Sequence, residues 1–266
     1  MSELAAHALG VARAAPGLLR EVAQPEPEPV LVAGAPSAAT DLRRALVRGG
    51  DPGLVRRISV LDLAGDASGA ALVYVIRGTR TSTDERALRE ADWRGLPTVC
   101  LLLEDTLGDV LPYVAATDVV RAPRVDEGAV AAVARRLAAR AGESAWPLAR
   151  ELPALRAAAG EALVAAYARR GAALAGLPGA GPAMPALTLA ELRLLLRVAA
   201  MHGVELRGGV GMLPLAGVTG AALGFRALAR RLGSLAPLPP AVVHALVAYA
   251  GVQLVGRAAR AAFARS

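Results

Sequence analysis

The chain lacks lysine and has few cysteine, histidine or aromatic residues. All 30 basic side chains among its 266 residues are arginines. A single cysteine, Cys100, excludes an internal disulfide and a thiolate-rich metal site. The three histidines, His7, His202 and His244, are too far apart in sequence to form a zinc motif. Aromatic residues make up only 3% of the chain, which leaves few platforms for stacking nucleic-acid bases.

The remaining composition is apolar and basic. Hydrophobic residues account for 55% of the chain and the mean hydropathy is +0.43, which is enough for a large buried core. The net charge is +7, but the arginines are scattered among acidic residues, as is typical of a solvated surface. Nucleic-acid binding, suggested by the net charge alone, is therefore not expected. Met1 to Gly10 does not resemble a secretory signal, so we expect a cytoplasmic location.

Short apolar runs alternate with amphipathic segments between residues 30 and 142. Such alternation predicts an α/β domain with a five-stranded, mostly parallel, doubly wound sheet. The predicted strands are Val30–Ala33, Ile58–Leu63, Ala71–Ile76, Thr98–Leu103 and Asp118–Arg121. The predicted helices are Thr40–Val47, Thr83–Trp93 with Thr83 as N-cap, Leu107–Ala116 and Asp126–Ala141. Before this domain, residues 1–29 are expected to form a short helix and a proline-rich lead-in that ends in Pro-Glu-Pro-Glu-Pro.

The first predicted strand and helix have the order of a phosphate-binding loop. In VLVAGAPSAATDLRRAL, Gly34 matches the first glycine of G-x-x-x-x-G-K-S/T, but Ala39, Thr40 and Asp41 stand at the glycine, lysine and hydroxyl positions. With a one-residue deletion, Thr40 would instead occupy the magnesium-binding position. Neither alignment supplies a cation, so the loop lacks the residue that contacts the β- and γ-phosphates.

The order of further fragments resembles that of small GTPase-like domains. Asp62-x-x-Gly65 is similar to the D-x-x-G element, ALVYVIRG resembles the core strand that follows it, and VCLLLED ends with Asp105 at the aspartate of the guanine-reading motif. The resemblance implies a degenerate P-loop GTPase-like domain over residues 30–142. If nucleotide binding is retained, it implies GTP with magnesium, bound by Gly34, Thr40, Asp62, Gly65 and Asp105.

After a predicted boundary at Glu143 to Arg150, residues 151–266 are expected to form an all-α domain. One helix is predicted over Leu152–Leu174. A second, with a capping box at Thr188-Leu-Ala-Glu191, is predicted to run to Gly203 with Arg193 and Arg197 on its solvent face.

Three segments of this region resemble the helical C-terminal domain of YcjF-like bacterial proteins. They are MPALTLAELRLLLRVAAMHGVEL, GFRALARRLGSLAP and AYAGVQLVGRAARAAF. The resemblance implies membrane association and, in several architectures, a G domain upstream.

Two windows without charged residues are candidates for contact with a membrane, namely Gly208–Phe225 and Leu232–Gly256. Prolines shorten the second to Ala241–Gly256, which is short for a bilayer. Arginines flank both windows on both sides, so they assign no orientation. A buried helical bundle, peripheral membrane contact and a spanning hairpin are all compatible with this pattern.

The expected function is therefore that of a non-catalytic, GTPase-derived module with no catalytic or metal-binding residues. Its helical domain would bind a protein partner or an anionic membrane surface, so that the protein acts as a scaffold or regulator. The alternative is a weak nucleotide-binding switch that uses GTP and magnesium and is peripheral to the inner membrane.

Overall fold

A computed structural model describes residues 26–60, 62–64, 68–104, 111–176, 183–204 and 239–264, with Gly17 alone before them. Apart from Gly17, the predicted N-terminal helix lies outside the described residues, and so does the window Gly208–Phe225. Contacts within the chain divide it into one unit of residues 26–162 and another of residues 1–25 and 163–266. The domain limits inferred from the sequence remain predictions.

The first unit contains a five-stranded sheet in which every strand is parallel to its neighbours. The strand order is β2-β1-β3-β4-β5. The strands are β1 (Val30–Gly34), β2 (Val55–Arg57), β3 (Ala71–Arg77), β4 (Thr98–Leu103) and β5 (Val119–Ala122). β1 is an interior strand, because Val30 pairs with Val55 on one side and with Ala71 on the other. The predicted parallel sheet is confirmed.

Helices cover both faces of the sheet. They are α1 (Pro36–Val47), α2 (Ser82–Trp93), α3 (Glu127–Ala141) and the short α4 (Ala145–Glu151). Helix α1 contacts β1, β2 and β3, helix α3 contacts β3, β4 and β5, and these two helices contact each other, whereas α2 contacts β3 and β4. Because both faces are covered, β3 and β4 are apolar and buried along nearly their whole length. This confirms the doubly wound α/β class.

Tyr74 lies at the centre of the core on the α2 side and is fully buried with Leu72, Leu88 and Cys100. Its hydroxyl donates a hydrogen bond of 2.8 Å to Oδ1 of Asp84, near the start of α2. Burial, followed by that hydrogen bond, raises the pKa of Tyr74 well above its ordinary value. Burial also raises the pKa of the Cys100 thiol to about 12, so this cysteine is a core residue.

The second strand is not where the sequence predicts it. β2 covers Val55–Arg57, whereas residues 58–60 of the predicted strand Ile58–Leu63 are not in a strand and Asp62–Ala64 forms a 3₁₀ turn. Leu63 is buried in the α2-side core, and Ile58 and Val60 pack against it while partly exposed. The prediction was wrong because the apolar run packs as a connection, while the pairing strand at the sheet edge has an exposed Arg-Arg pair.

Two helix starts also differ from the prediction. Helix α1 begins at Pro36 rather than Thr40, because proline suits the first helical position and Ala38 and Ala39 are buried. The N-cap of α2 is Thr81 rather than Thr83. Thr81 and Asp84 form a reciprocal capping box in which the Thr81 backbone N–H donates to Oδ2 of Asp84 at 2.7 Å.

The segment before β5 differs as well. Of the predicted helix Leu107–Ala116, residues 107–110 lie outside the described part of the chain, and residues 111–115 form turns and bends. A 3₁₀ turn at Ala116–Asp118 leads into β5. Helix α3 matches its prediction, with Asp126 as N-cap, Val133 and Leu137 buried, and Arg135, Arg136 and Arg140 exposed.

The second unit is helical in its described part, and α5 crosses the limit between the two units. Its helices are α5 (Pro153–Ala175), α6 (Ala183–Met201) and α7 (Pro240–Phe263). Helix α6 contacts α7. Helices α5 and α7 come close at small residues, because Gly256 lies against Val164 and Gly171 lies against Val252. The predicted all-α region after the α/β domain is confirmed.

Two predictions about α6 were wrong. The helix begins at Ala183, so Thr188 lies inside it and Thr188-Leu-Ala-Glu191 is not an N-terminal capping box. Arg197 is only 8% exposed and lies over the Tyr167 ring, 5.9 Å from its centroid, rather than on a solvent face. The long apolar stem and planar head of arginine allow such burial against an aromatic ring.

Helix α7 is longer than the window inferred from the sequence. It continues past Gly256 to Phe263 and so has 24 residues. Within the described chain, Ala241–Phe263 is the one helix long and apolar enough to cross a membrane, and about a fifth of its apolar window is buried. Length and composition are weak evidence for membrane association, since a core helix passes the same test.

Candidate functional site

The carboxyl ends of the parallel strands form the edge at which ligands bind in open α/β sheets. The order β2-β1-β3-β4-β5 reverses at β1, because β2 lies on one side of β1 and the later strands lie on the other. The crevice outside the ends of β1 and β3 is therefore the candidate site on this sheet. Gly34 ends β1, and Arg57, Arg77 and Leu103 end β2, β3 and β4.

The connection from β1 to α1 is very short. Only Ala35 separates Gly34 from Pro36, and the Ala35 N–H donates to the Val75 carbonyl oxygen at 2.8 Å. Gly34 has a φ of +103°, and a Cβ atom there would overlap the backbone carbonyl of Val75. Glycine is thus required at this position by the close approach to β3. Residues 36–39, which would curve around a phosphate in a P-loop, are the first residues of α1.

Thr40 lies inside α1, one turn after its start. Its hydroxyl donates to the Pro36 carbonyl oxygen at 2.8 Å and accepts a hydrogen bond of 2.9 Å from Nη1 of Arg57. A guanidinium from the neighbouring strand thus contacts the residue at the lysine position of the P-loop pattern. Among the described residues, Arg57 makes no ion pair with an acidic side chain.

Two other arginines at this edge are paired with acids. Nε of Arg77 lies 2.7 Å from Oε1 of Glu104, and Nε of Arg80 lies 3.1 Å from Oε1 of Glu85. Glu104 follows β4 with a φ of 66°, which is unusual for a residue other than glycine. Because of these pairs, the positive and negative charges at this edge largely cancel. Arg57 is a cation at the edge that has no acidic partner among the described side chains.

Asp62 is not at the end of a strand, as the D-x-x-G resemblance requires. It begins the 3₁₀ turn after β2, and its Oδ2 accepts a hydrogen bond of 2.9 Å from the Ser59 backbone N–H. Hydrogen bonds from the backbone and side chain of Ser59 lower the pKa of Asp62. The carboxylate is therefore used to close its own turn.

The structure brings Gly34 and Thr40 to one side of the sheet edge and places Asp62 in the turn after the neighbouring strand. Gly65 and Asp105 lie outside the described residues. In the part of the chain that the structure describes, no group of three or more His, Cys, Asp and Glu side chains could hold a metal ion.

Sequence reasoning missed Arg57 and the pairing of Arg77 with Glu104. The position of Arg77 at a strand end could have been predicted, because it directly follows a strongly apolar run. The position of Arg57 could not, because the β2 strand is only three residues long and has one buried side chain.

A second candidate surface is an exposed apolar stripe on α7. Val242, Leu246, Tyr249 and Leu254 are 44%, 58%, 41% and 51% exposed. Helix α7 contains no acidic residue, and the exposed Arg257 lies three turns after Leu246 on the same side. An apolar stripe that ends in a cation is typical of helices that lie at a membrane interface or bind a partner.

Comparisons of this chain with protein families, with curated proteins and with solved structures find no match.

Proposed function

We propose that this protein is a non-catalytic module in which a GTPase-derived α/β domain is joined to a helical region that binds an anionic membrane surface or a protein partner. In this role it acts as a scaffold or regulator. The observation that carries the proposal is the one-residue connection between β1 and α1. A P-loop holds phosphates with several successive backbone N–H groups of a loop. Here the corresponding residues, 36–39, form the first turn of helix α1 instead.

Hydrolysis assays test the catalytic half of this proposal. Release of phosphate from GTP or ATP by the purified protein should equal that of a Thr40→Ala/Asp62→Ala variant. Phosphoryl transfer depends on positioned charge, and an arginine finger alone adds about 10³–10⁵ in rate. Hydrolysis well above the rate of the double variant would contradict the proposal.

Support for the membrane half comes from α7. Its exposed apolar stripe is continuous with Arg257, and a basic residue near an anionic surface contributes about 1 kcal/mol to binding. Flotation with vesicles that contain phosphatidylserine, compared with vesicles of phosphatidylcholine alone, tests the choice of surface. Flotation with the anionic vesicles only is expected. Protein that ignores both kinds of vesicle would leave a protein partner as the occupant of the stripe.

The second candidate function is a nucleotide-binding switch at the inner membrane. The hydrogen bond between Arg57 and Thr40 favours it, because it places a guanidinium where the P-loop pattern has no cation of its own. The N-terminus of α1 has no side-chain cap, and an uncapped helix N-terminus attracts phosphate.

Thermal shift separates the two functions. A ligand at 100 times its dissociation constant stabilises a protein by about 2.7 kcal/mol, which raises the melting temperature by several degrees. The switch predicts such a rise with millimolar GTP or GDP and magnesium, and its loss in Arg57→Gln. Arg56→Gln is the matched control, since Arg56 is also exposed in β2. No rise with any nucleotide would remove the switch.

A further inference from the structure

Three side chains of α2, from Arg86 to the end of the helix, form an exposed patch with Tyr113, which we call the aromatic–arginine patch. Arg86, Arg89 and Trp93 follow one another at i, i+3 and i+7 on the exposed side of the helix, and Tyr113 lies beside Arg89. Trp93 is 81% exposed and Tyr113 is 44% exposed. The guanidinium of Arg89 lies 5.6 Å from the centroid of the Tyr113 ring.

The composition of this patch is that of a protein-binding site. Trp, Tyr and Arg are the residues most enriched among those that dominate binding energy at protein interfaces. The chain has only two tryptophans, and the other, Trp146, is 5% exposed. Among the described residues, Arg86 and Arg89 make no ion pair with an acidic side chain. The patch therefore combines an unburied aromatic surface with two positive charges.

The chain also contains a segment of complementary chemistry. Glu26–Pro29 lies outside the helices and strands, its two glutamates are exposed, and within the described chain neither glutamate has an ion-pair partner. Alternating prolines prevent a helix and favour the polyproline II conformation, which loses little entropy on binding. The Pro29 carbonyl oxygen accepts a hydrogen bond of 2.9 Å from the Ala70 N–H, so the end of the segment is held against the sheet.

The Trp93 end of the patch and the segment lie at the same edge of the sheet. Pro29 directly precedes β1, and the loop after Trp93 leads to β4, so Pro29 and Trp93 both lie near the amino ends of the strands. Both flank the start of β3, because Ala70 donates to Pro29 and Leu72 donates to the Pro97 carbonyl oxygen at 2.8 Å. Two copies related by a two-fold axis at this edge would exchange their segments reciprocally.

We propose that the aromatic–arginine patch binds the Glu26–Pro29 segment of a second copy of this chain. Prolines of the segment pack on Trp93 and Tyr113, as in other recognition of polyproline segments by aromatic side chains, and Glu26 and Glu28 pair with Arg86 and Arg89. Each dimer contains two such contacts. This interaction is independent of the nucleotide and membrane functions proposed above. Because each contact is small, the dimer forms in a concentration-dependent equilibrium rather than as an obligate assembly.

Sedimentation of the full chain over a range of concentrations tests the proposal through charge reversal. Arg86→Glu/Arg89→Glu should raise the dimer dissociation constant at least tenfold, and so should Glu26→Arg/Glu28→Arg. Combining the two pairs of substitutions should restore dimerisation, since the charges are then exchanged. Arg135→Glu/Arg136→Glu, on the exposed face of α3, makes the same change in net charge away from the patch and should leave the dissociation constant unchanged.

Tryptophan fluorescence gives an independent readout. Iodide should quench Trp93 in the monomer and much less in the dimer, whereas a Trp93→Phe variant should lose this difference because Trp146 is buried in both states. A chain that stays monomeric at every concentration would overturn the proposal. So would a dimer that is unaffected by the charge reversals, or one in which Trp93 remains as accessible to iodide as in the monomer.

Discussion

Several arginines of this lysine-free chain bind backbone or buried acidic groups of their own domain. Nε of Arg43 donates to the Val55 carbonyl oxygen at 2.8 Å, and its Nη2 donates to the Pro52 carbonyl oxygen at 3.2 Å. Nε of Arg140 lies 3.2 Å from Oδ2 of Asp118, whose side chain is buried. A planar guanidinium can make such diverging bonds, which an ammonium group makes less well. The net charge of +7 therefore overstates how many arginines are free to meet an external partner.

Replacing Arg43 by methionine should lower the free energy of unfolding by about 1–3 kcal/mol. Methionine keeps most of the side-chain volume but leaves the two carbonyl groups without this donor. Urea denaturation measures the change. Arg48→Met is the control, because Arg48 is exposed at the end of the same helix, and it should change stability by less than about 0.5 kcal/mol. Equal effects of the two substitutions would contradict a role for the Arg43 hydrogen bonds.

Alkaline pH should destabilise the α/β domain through its buried thiol and phenol. The pKa of Cys100 is raised to about 12 by burial, and that of Tyr74 is raised further above its ordinary value. The unfolded chain loses the thiol proton above about pH 9 and the phenol proton above about pH 10, while the folded chain keeps both, so the free energy of unfolding falls as pH rises. For the thiol, the slope is at most about 1.4 kcal/mol per pH unit up to pH 12.

Urea denaturation between pH 8 and pH 11 checks this dependence. Tyr74→Phe should make the loss above pH 10 less steep, because the variant has no buried phenol to keep protonated. A Tyr74→Phe variant with the same slope above pH 10 as the unsubstituted protein would contradict the assignment to Tyr74.

At the scale of elements, the sequence predicted those whose pattern is long and unambiguous. β3 and β4 are continuous apolar runs, and α3 has a helical stripe with an Asp126 cap, so each matched its predicted range closely. β2 was missed because three residues with two exposed arginines have no recognisable period, and its position depends on pairing with β1. The start of helix α6 was predicted too far along the chain because Thr188 resembles an N-cap residue, although it lies inside the helix.

The candidate site was only partly predictable for a related reason. Gly34 could be identified because a glycine between an apolar run and a helix marks a turn. The reason why glycine is required at this position is its close approach to Val75, in a strand about 40 residues later in the chain. The contact between Arg57 and Thr40 likewise arises from strand order, which local patterns do not encode.

Two glycines of α7 should respond in opposite ways to alanine. A Cβ atom on Gly256 would overlap the side chain of Val164 in α5, whereas one on Gly251 would meet nothing within 4 Å. Gly256→Ala should therefore destabilise the protein by about 1–3 kcal/mol. Gly251→Ala should stabilise it by up to about 1 kcal/mol, because alanine favours the helix. Thermal unfolding of both variants measures the difference, and destabilisation of the same size by both would contradict the close packing at Gly256.

At the scale of the whole molecule, membrane binding should depend on one side of α7. Leu246→Glu places an acid in the exposed apolar stripe and should abolish flotation with anionic vesicles. His244→Glu is the matched control, because His244 is also exposed but lies on nearly the opposite side of the helix. Flotation should decrease by no more than a few fold in the control. If both variants float like the unsubstituted protein, α7 is not the membrane-binding element.

The position of β1 in the sheet also bears on how the chain is built during synthesis. β2 adds to one side of β1 and β3 to the other, after which β4 adds to β3 and β5 adds to β4. Each of the five described strands therefore joins an edge that already exists when it leaves the ribosome, and none of the five has to insert between two strands already paired. A nascent chain that ends after Arg77 already contains the three strands around Gly34, so the β1–α1 turn can acquire its final form before the helical region is translated.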